Sequence, residues 1–455
     1  MDRIRKIVIW LFFIGAALPY SLHGEENSGI SIQGKPEEWV VVFVHGIMSI
    51  KPHISFGNVA RFFDDQISRT QYARSVKTMR EDPHFFQNQA MQQRGLFKVN
   101  IDEKRAGNAS GALASIMEKM EGLAGITNRK NHYYTYGWSG LLSQSSRYRE
   151  AARFFHDLEA LAKNFNSAPK IRIIGYSHGG CVSLNLAAVQ RDLFPKSDLK
   201  IDELVLLATP LKREVEPLVL SPLFKRIYNL YSRHDRVQRI DIFNPSRYLS
   251  DRLFYPSFGF CLPDKLIQVE LKLMRMHSSV KPGSKKYKQL TDLSNRHVLE
   301  GQHHLLSDTS PGHGEVWFFG WTPRFYRKSF PLYPLPMISI LPFIQRHLAS
   351  VEGGESPAKS VLVADARPDH SVILFKKKYN TNTCLIDKAT FPSLQQFGAI
   401  TEQIAPYIPE GYTKTAYEKH VKISQKEAKK RYLEKKKRRK GKNTPRSHSC
   451  TKHIP

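Results

Sequence analysis

The stretch Ile171-Arg-Ile-Ile-Gly175-Tyr-Ser177-His-Gly179-Gly decides the fold of this chain. Its first residues are mostly β-branched and apolar, which is typical of a strand that is buried on both faces. The residues that follow Ser177 are rich in Leu and Ala and predict a helix. A strand, a tight Gly-x-Ser-x-Gly turn and a helix in this order lift the serine hydroxyl above the edge of a sheet. The alternative is an ordinary tight turn that contains an inert serine.

Similar strand patterns lie on both sides of this stretch. Short apolar runs that alternate with helical patterns indicate an α/β fold, with a mostly parallel sheet flanked by helices. Helical spacing of apolar residues is found at 111–123, 145–166 and 178–190. The runs that predict strands are WVVVFV (39–44), HYYTY (132–136), ELVLLA (203–208), RIYNLY (226–231) and LIQVELKLM (266–274).

The composition divides the chain into an N-terminal segment, which is described below, and three further parts. Residues 35–350 are predicted to form the main domain, within which 50–130 combine a helix with a possible lid or insertion. Residues 351–411 contain two strand-like runs, SVLVAD and SVILFKK, and are predicted to form a hairpin or a small appended segment. Residues 412–455 are predicted to be a basic tail that is partly disordered, in which 412–442 form a helix or a disordered arm.

The first 24 residues have the pattern of an export signal. Arg3, Arg5 and Lys6 precede an apolar run at 7–18, and small residues follow at 21–24. The alternative is an uncleaved membrane anchor, although the run is short for a spanning helix, which needs about 20 residues. We therefore expect the protein to be exported, as a secreted, periplasmic or membrane-associated protein.

The charge of the chain is strongly positive and concentrated at its end. Its 455 residues carry 69 Lys and Arg against 41 Asp and Glu, and residues 414–455 alone hold sixteen Lys and Arg against three Glu. Such a field favours anionic partners. The first expectation for the tail is that it only keeps the protein soluble; an anionic membrane surface is the next alternative and nucleic acid a less favoured partner.

A nucleophilic serine at position 177 needs an oxyanion hole. One backbone N–H donor is expected from the residue after the nucleophile, which is His178. The second is expected from a loop that follows an earlier strand, and Ile47 in the sequence His45-Gly46-Ile47 directly follows WVVVFV. We therefore predict that the N–H groups of Ile47 and His178 form the oxyanion hole.

Four motifs together give the chain a family resemblance. FVHGIM (43–48), GYSHGG (175–180), LLATPL (206–211) and YSRHD (231–235) stand in an order that resembles the α/β-hydrolase superfamily, and most of all its bacterial secreted lipases and esterases. The resemblance covers roughly residues 35–320. It implies the α/β-hydrolase fold and a catalytic serine, acid and histidine in that chain order.

This order restricts the search for the acid and the base. Asp235 follows the strand RIYNLY and is the first choice for the acid, with Asp241 as the alternative. His313, between glycines in PGHGEVW, is the first choice for the base because a flexible loop would let it reach Ser177. His303 and His304 are the alternatives.

The expected activity is the hydrolysis of carboxylic esters by a Ser177-His313-Asp235 triad. Apolar and aromatic segments at 254–263 and 316–345 suit a lipid-like or other acyl ester, although they would also suit an ordinary core. Acyl transfer, or a binding protein on an inactive hydrolase scaffold, is the alternative. The sequence predicts no cofactor, and the histidines around Asp308 match no standard metal motif.

Overall fold

The computed structural model shows a sheet of eleven strands among the residues that it describes. These residues are 35–48, 65, 67–212, 215–239, 250–256, 261–276, 281, 283–285, 306–322, 326–349, 361–366, 371–377, 383–390 and 394–442. The strands are β1 Glu37–Val44, β2 Gly95–Lys98, β3 Arg129–Gly137, β4 Lys170–Tyr176, β5 Ile201–Leu207, β6 Phe224–Tyr231, β7 Leu266–Met276, β8 Leu306–Asp308, β9 Val361–Ala366, β10 Ser371–Lys377 and β11 Thr383–Thr390.

The strand order is β11-β10-β9-β7-β6-β5-β4-β1-β3-β2, and β8 pairs with β7. The central run from β3 through β1, β4, β5, β6 and β7 to β9 is parallel throughout. The outer pairs β2–β3, β9–β10 and β10–β11 are antiparallel. The predicted α/β class with a mostly parallel sheet is therefore confirmed.

Eight α-helices connect or cover these strands in the described part of the chain. They are α1 Gln71–Glu81, α2 Ala109–Leu123, α3 Gln144–Ala162, α4 His178–Leu193, α5 His313–Trp317, α6 Leu341–Ala349, α7 Leu394–Gln403 and α8 Lys414–Lys442. The described helices contain no stretch long and apolar enough to cross a membrane.

The core lies on both faces of the sheet, because successive side chains of a strand point to opposite faces. In β1, Val41 and Phe43 join one apolar cluster, which includes residues of α1, α2 and α6. Val40, Val42 and Val44 join the other cluster, which includes residues of α3 and α4. Burial on both faces explains why WVVVFV is continuously apolar instead of alternating.

Two further segments extend the main sheet or its core. Within 50–130, β2 extends the sheet beside β3, and α2 is buried against the core. Within 351–411, β9 and β10 form an antiparallel hairpin, and β9 pairs in parallel with β7, so the hairpin continues the main sheet. The sequence did not reveal this because the pairing depends on a contact between residues about 90 positions apart.

Of the two predictions for the basic tail, a helix or a disordered arm, the structure shows the helix. Residues 414–442 form the long helix α8, which packs against α1. Several predictions lie outside the described residues: the export signal at 1–24, the alternative acid Asp241, and the alternative bases His303 and His304.

Candidate active site

Ser177 lies at the corner between β4 and α4. Its backbone has φ 52° and ψ −130°, a conformation that is costly for a residue with a side chain. The corner is held by the neighbouring strand, because the Ser177 N–H donates to the carbonyl oxygen of Leu207 at 2.9 Å. The residue is only 3% exposed. The strained turn predicted from Gly-x-Ser-x-Gly is therefore present.

The two motif glycines allow the helix to approach the sheet. A Cβ atom on Gly175 would lie 2.6 Å from the Cα of Gly180, and one on Gly179 would collide with the carbonyl oxygen of His45. The first turn of α4 therefore packs against the end of β1. As a result Gly46 lies beside the serine, since a Cβ atom there would be 3.0 Å from the Cβ of Ser177.

His313 lies between the serine and an aspartate. Its Nε2 is 3.0 Å from the Oγ of Ser177, and its Nδ1 is 2.7 Å from Oδ2 of Asp235. A carboxylate only accepts hydrogen bonds, so Nδ1 carries the proton and Nε2 is left as an acceptor for the serine hydroxyl. The structure thus brings together the three residues that the sequence put forward as nucleophile, base and acid.

Asp235 is completely buried in the turn after β6. Its Oδ1 accepts the N–H of Gln238 at 3.1 Å, and its carbonyl oxygen accepts the guanidinium of Arg252, with Nη2 at 2.6 Å. The neighbouring Arg233 is turned elsewhere and pairs with Glu270 at 3.0 Å. The side chain and the backbone of Asp235 are therefore both fixed.

His313 does not lie in the flexible loop that the glycines suggested, because it is the first residue of helix α5. The Tyr176 hydroxyl donates to its carbonyl oxygen at 2.9 Å. Burial and the charge of Asp235 raise the pKa of Tyr176 well above its ordinary value, so this hydroxyl stays protonated. On the other side, Glu315 accepts the N–H of Gly312 at 2.7 Å and pairs with Arg327.

His45 fixes the loop that carries Ile47. Its Nδ1 lies 2.6 Å from the carbonyl oxygen of Gly46, and its Nε2 accepts the N–H of Trp138 at 3.2 Å. These contacts require a neutral ring with the proton on Nδ1. Burial, and next the charge of Arg80, lower the pKa of His45 well below its usual value. Because a peptide unit is planar and trans, the Ile47 N–H points away from the His45 ring.

His178 begins α4, where the first N–H groups have no partner within the helix. Its Nδ1 accepts Nη1 of Arg147 at 3.1 Å. The side chain of His178 is thus engaged by Arg147.

A cavity of about 670 Å³ opens above Ser177 and His313. Ile47 and Met48, in the loop after β1, line one side of the cavity. Further lining residues, most of them apolar, are Met79, Phe85, Tyr176, Val237, Phe318 and Tyr326. Three residues of α8 complete the wall: Tyr417, Val421 and Gln425. The sequence did not indicate that the basic tail contributes to the site.

Among the described residues no three His, Cys, Asp or Glu side chains lie close enough together to hold a metal ion. No known family model matches the chain, and no curated protein matches its sequence.

Proposed function

We propose that this protein is a serine hydrolase that cleaves carboxylic esters, with lipid-like acyl esters as its substrates. One observation carries the proposal: His313 bridges Ser177 and Asp235 at hydrogen-bond distance on both sides. The strained corner at Ser177 and the order of the three residues along an α/β chain support the α/β-hydrolase fold. Fold alone would not support an activity, but this set of side chains does.

In the first step Nε2 of His313 accepts the proton of the Ser177 hydroxyl while Oγ attacks the ester carbonyl carbon. Asp235 holds the ring through Nδ1 and stabilises its positive charge. The carbonyl oxygen becomes an oxyanion, for which the N–H groups of Ile47 and His178 are the donors. Removing one such donor typically lowers the rate about 10²–10³-fold.

The second half of the reaction releases the acid. The protonated His313 gives its proton to the departing alkoxide, and an acyl group remains bonded to Ser177. His313 then takes a proton from water, whose oxygen attacks the acyl carbon, and the serine is regenerated. If an alcohol other than water enters at this step, the same residues perform acyl transfer.

The cavity supports a lipid-like substrate. Its side chains near Ser177 are largely apolar, and such a lining favours an acyl chain over a charged or strongly polar group. Besides Ser177, His313 and the tyrosines, the polar side chains of the lining are Asn88, Gln89, Glu315, Arg327 and Gln425. We also propose export through the N-terminal segment, because lipid substrates and an anionic membrane partner would then be accessible.

The proposal is tested by labelling with a fluorophosphonate probe, followed by mass measurement of the intact protein. We expect the wild type to gain one probe adduct and Ser177→Ala to gain none. Ser183→Ala is the matched control, because Ser183 is a buried serine on the same helix whose hydroxyl bonds to the carbonyl of Gly179. It should label like the wild type.

A folded wild type that does not react would contradict the proposal. The inactive-scaffold alternative would then gain support, and the basic tail would be the part to study. If the probe reacts, product analysis with and without a long-chain alcohol separates hydrolysis from acyl transfer.

A further inference from the structure

Trp138 is a completely buried tryptophan that has no part in the mechanism proposed above. It follows directly after β3, whose parallel neighbour in the sheet is β1. The register pairs Val44 with Tyr136, so Trp138 leaves the sheet beside the loop that follows β1. That loop carries Ile47, whose N–H is one of the two proposed oxyanion donors.

The indole of Trp138 holds the backbone of this loop. Its Nε1 donates to the carbonyl oxygen of His45 at 2.6 Å. The first turn of α4 limits the position of the same oxygen, because a Cβ atom on Gly179 would lie only 2.4 Å from it. The peptide unit between His45 and Gly46 therefore has little room to move.

Trp138 also holds the side chain of His45. The Trp138 backbone N–H donates to Nε2 at 3.2 Å, and the two rings stack with their centres 5.7 Å apart. A neutral ring that accepts at Nε2 carries its proton on Nδ1, which donates to the carbonyl oxygen of Gly46 at 2.6 Å. This oxygen and the N–H of Ile47 belong to one planar peptide unit, so the bond from His45 sets the direction of that N–H.

A further contact comes from Gly140, two residues after Trp138. Its carbonyl oxygen accepts the N–H of Met48, the residue after Ile47, at 3.5 Å. Gly140 has a φ of 69°, which is unfavourable for a residue with a side chain. A Cβ atom there would also lie 2.7 Å from Cγ of Met48. Residues 138–140 therefore contact the loop both before and after Ile47.

We propose that Trp138 is a positioning residue for the oxyanion hole. It acts through His45 on the direction of the Ile47 N–H, and Gly140 supports the same loop beyond Ile47. This inference rests on the proposed ester hydrolysis, because it concerns the transition state of that reaction. The substrate carbonyl oxygen becomes an oxyanion only in the transition state, so a displaced donor lowers kcat and leaves substrate binding unchanged.

Trp138→Phe tests the proposal, because phenylalanine keeps an aromatic ring and the backbone N–H but removes the indole donor. We expect kcat for an activated ester to fall about tenfold at unchanged KM, less than the roughly 10²–10³-fold loss on removal of an oxyanion donor. Trp321→Phe is the matched control. Trp321 is also buried and donates Nε1 to the carbonyl oxygen of Gln87 at 2.8 Å, but it does not line the catalytic cavity. Its kcat should match that of the wild type.

A second readout separates positioning from a general loss of structure. Each protein is assayed with an ester and with the corresponding thionoester, in which sulfur replaces the carbonyl oxygen. Sulfur is a weak hydrogen-bond acceptor, so the oxyanion hole contributes less to the thionoester reaction. Trp138→Phe should therefore lower the ratio of the ester rate to the thionoester rate, whereas Trp321→Phe should leave this ratio unchanged.

Gly140→Ala displaces the same loop from its other side and replaces Trp138→Phe if that variant does not fold. We expect it to lower both kcat and the rate ratio. Gly283→Ala is its matched control, because Gly283 has a φ of 77° and an added Cβ atom would meet nothing within 4 Å. The control has the same backbone strain without the contact to Met48.

The outcomes distinguish this inference from the proposed function. If the wild type hydrolyses the ester but Trp138→Phe and Trp321→Phe have equal kcat and equal rate ratios, the role of Trp138 is overturned and the hydrolase proposal stands. A lower kcat in Trp138→Phe with an unchanged rate ratio also overturns it, because the loss would not involve the oxyanion. A wild type that neither hydrolyses the ester nor reacts with the fluorophosphonate probe overturns both.

Discussion

Asp235 shows how much of the candidate chemistry depends on one buried side chain. Its two carboxylate oxygens accept one hydrogen bond each, from Nδ1 of His313 and from the N–H of Gln238. The first bond selects the ring tautomer that leaves Nε2 free to take the proton of Ser177. An amide at this position would keep the shape but would place a donor or a weaker acceptor against Nδ1.

Asp235→Asn should therefore leave the fold intact and lower kcat for an ester by roughly 10⁴-fold, the loss known for the equivalent change in a serine protease triad. The measurement is the steady-state hydrolysis of an activated ester, with circular dichroism as a check of folding. Asp102→Asn, an exposed change far from the cavity, is the control. A kcat within tenfold of the wild type would show that Asp235 does not orient the base.

At this scale the sequence predicted the three side chains that the structure brings together but not the residues that hold them. Ser177, Asp235 and His313 could be proposed because a local motif and a fixed chain order restrict the choice. Tyr176 and Arg252 could not, because each acts through a contact with a residue distant in the chain. Tyr176 holds His313 at the start of α5, and Arg252 holds Asp235 in the turn after β6, so both roles depend on how the chain folds.

Helix α8 is the element that the sequence described least well. Its many lysines are compatible with the predicted helix or disordered arm, but they did not indicate that one face of the helix packs against the protein. Tyr417, Val421, Ser424 and Ala428 recur at the three- and four-residue spacing of a helix face. This spacing could have indicated the packed face of the helix, but the many lysines between these residues obscured the pattern in the sequence.

The role of α8 in substrate binding can be tested with a larger side chain that fills part of the cavity. Val421→Trp adds volume beside the catalytic residues, so we expect kcat/KM to fall at least tenfold for long-chain esters and to change little for acetyl esters. A series of p-nitrophenyl esters of increasing acyl length measures this. Ile423→Trp is the matched control, because Ile423 is 43% exposed on the same helix. Equal effects of both variants on all esters would contradict a role of α8 in substrate binding.

The docking of α8 should weaken in acid. The His84 ring stacks on His420 at 3.8 Å, and His420 also bonds to Asp82 at 2.9 Å. Burial, and next the charge of His420, lower the pKa of His84 below its ordinary 6.5. The folded protein therefore binds fewer protons at this ring than the unfolded chain, and stability is lost as the pH falls below that ordinary value.

His84→Phe keeps an aromatic ring without a titrating group. We expect its melting temperature to fall less between pH 7.5 and pH 5.5 than that of the wild type, because no second charge develops beside His420. His156→Phe replaces an exposed histidine on α3 and should behave like the wild type. If His84→Phe and the wild type lose equal stability, the His84–His420 stack is not the acid-sensitive contact.

At the scale of the whole molecule, α8 lines the cavity above Ser177 with one face and carries a row of exposed lysines on the opposite face. Its inner face lines the cavity through Tyr417, Val421 and Gln425. On its outer side, exposed lysines recur at helical spacing at 419, 422, 426 and 430. Between and beyond them Ile423 and Leu433 are 43% and 47% exposed. Lysines near an anionic lipid surface are attracted to it, so this outer side is the part of α8 that would contact such a surface.

A protein bound through this face would hold its catalytic cavity close to the lipid from which we propose that its substrates come. Each lysine near an anionic surface contributes about 1 kcal/mol, so replacing the four outer lysines of α8 by Gln should weaken vesicle binding by roughly 10³-fold. The measurement is sedimentation with phosphatidylserine vesicles over a range of salt concentrations. The matched control replaces four exposed lysines elsewhere, namely Lys104, Lys119, Lys163 and Lys196.

The control separates a specific face from overall charge, because both variants change the net charge by the same amount. If both weaken binding equally, the positive field of the whole molecule and not α8 draws it to lipid. If only the α8 variant loses binding, its activity on vesicle-borne esters should fall while its activity on soluble short-chain esters stays unchanged. That combination would locate the membrane contact and the ester chemistry on opposite faces of the same helix.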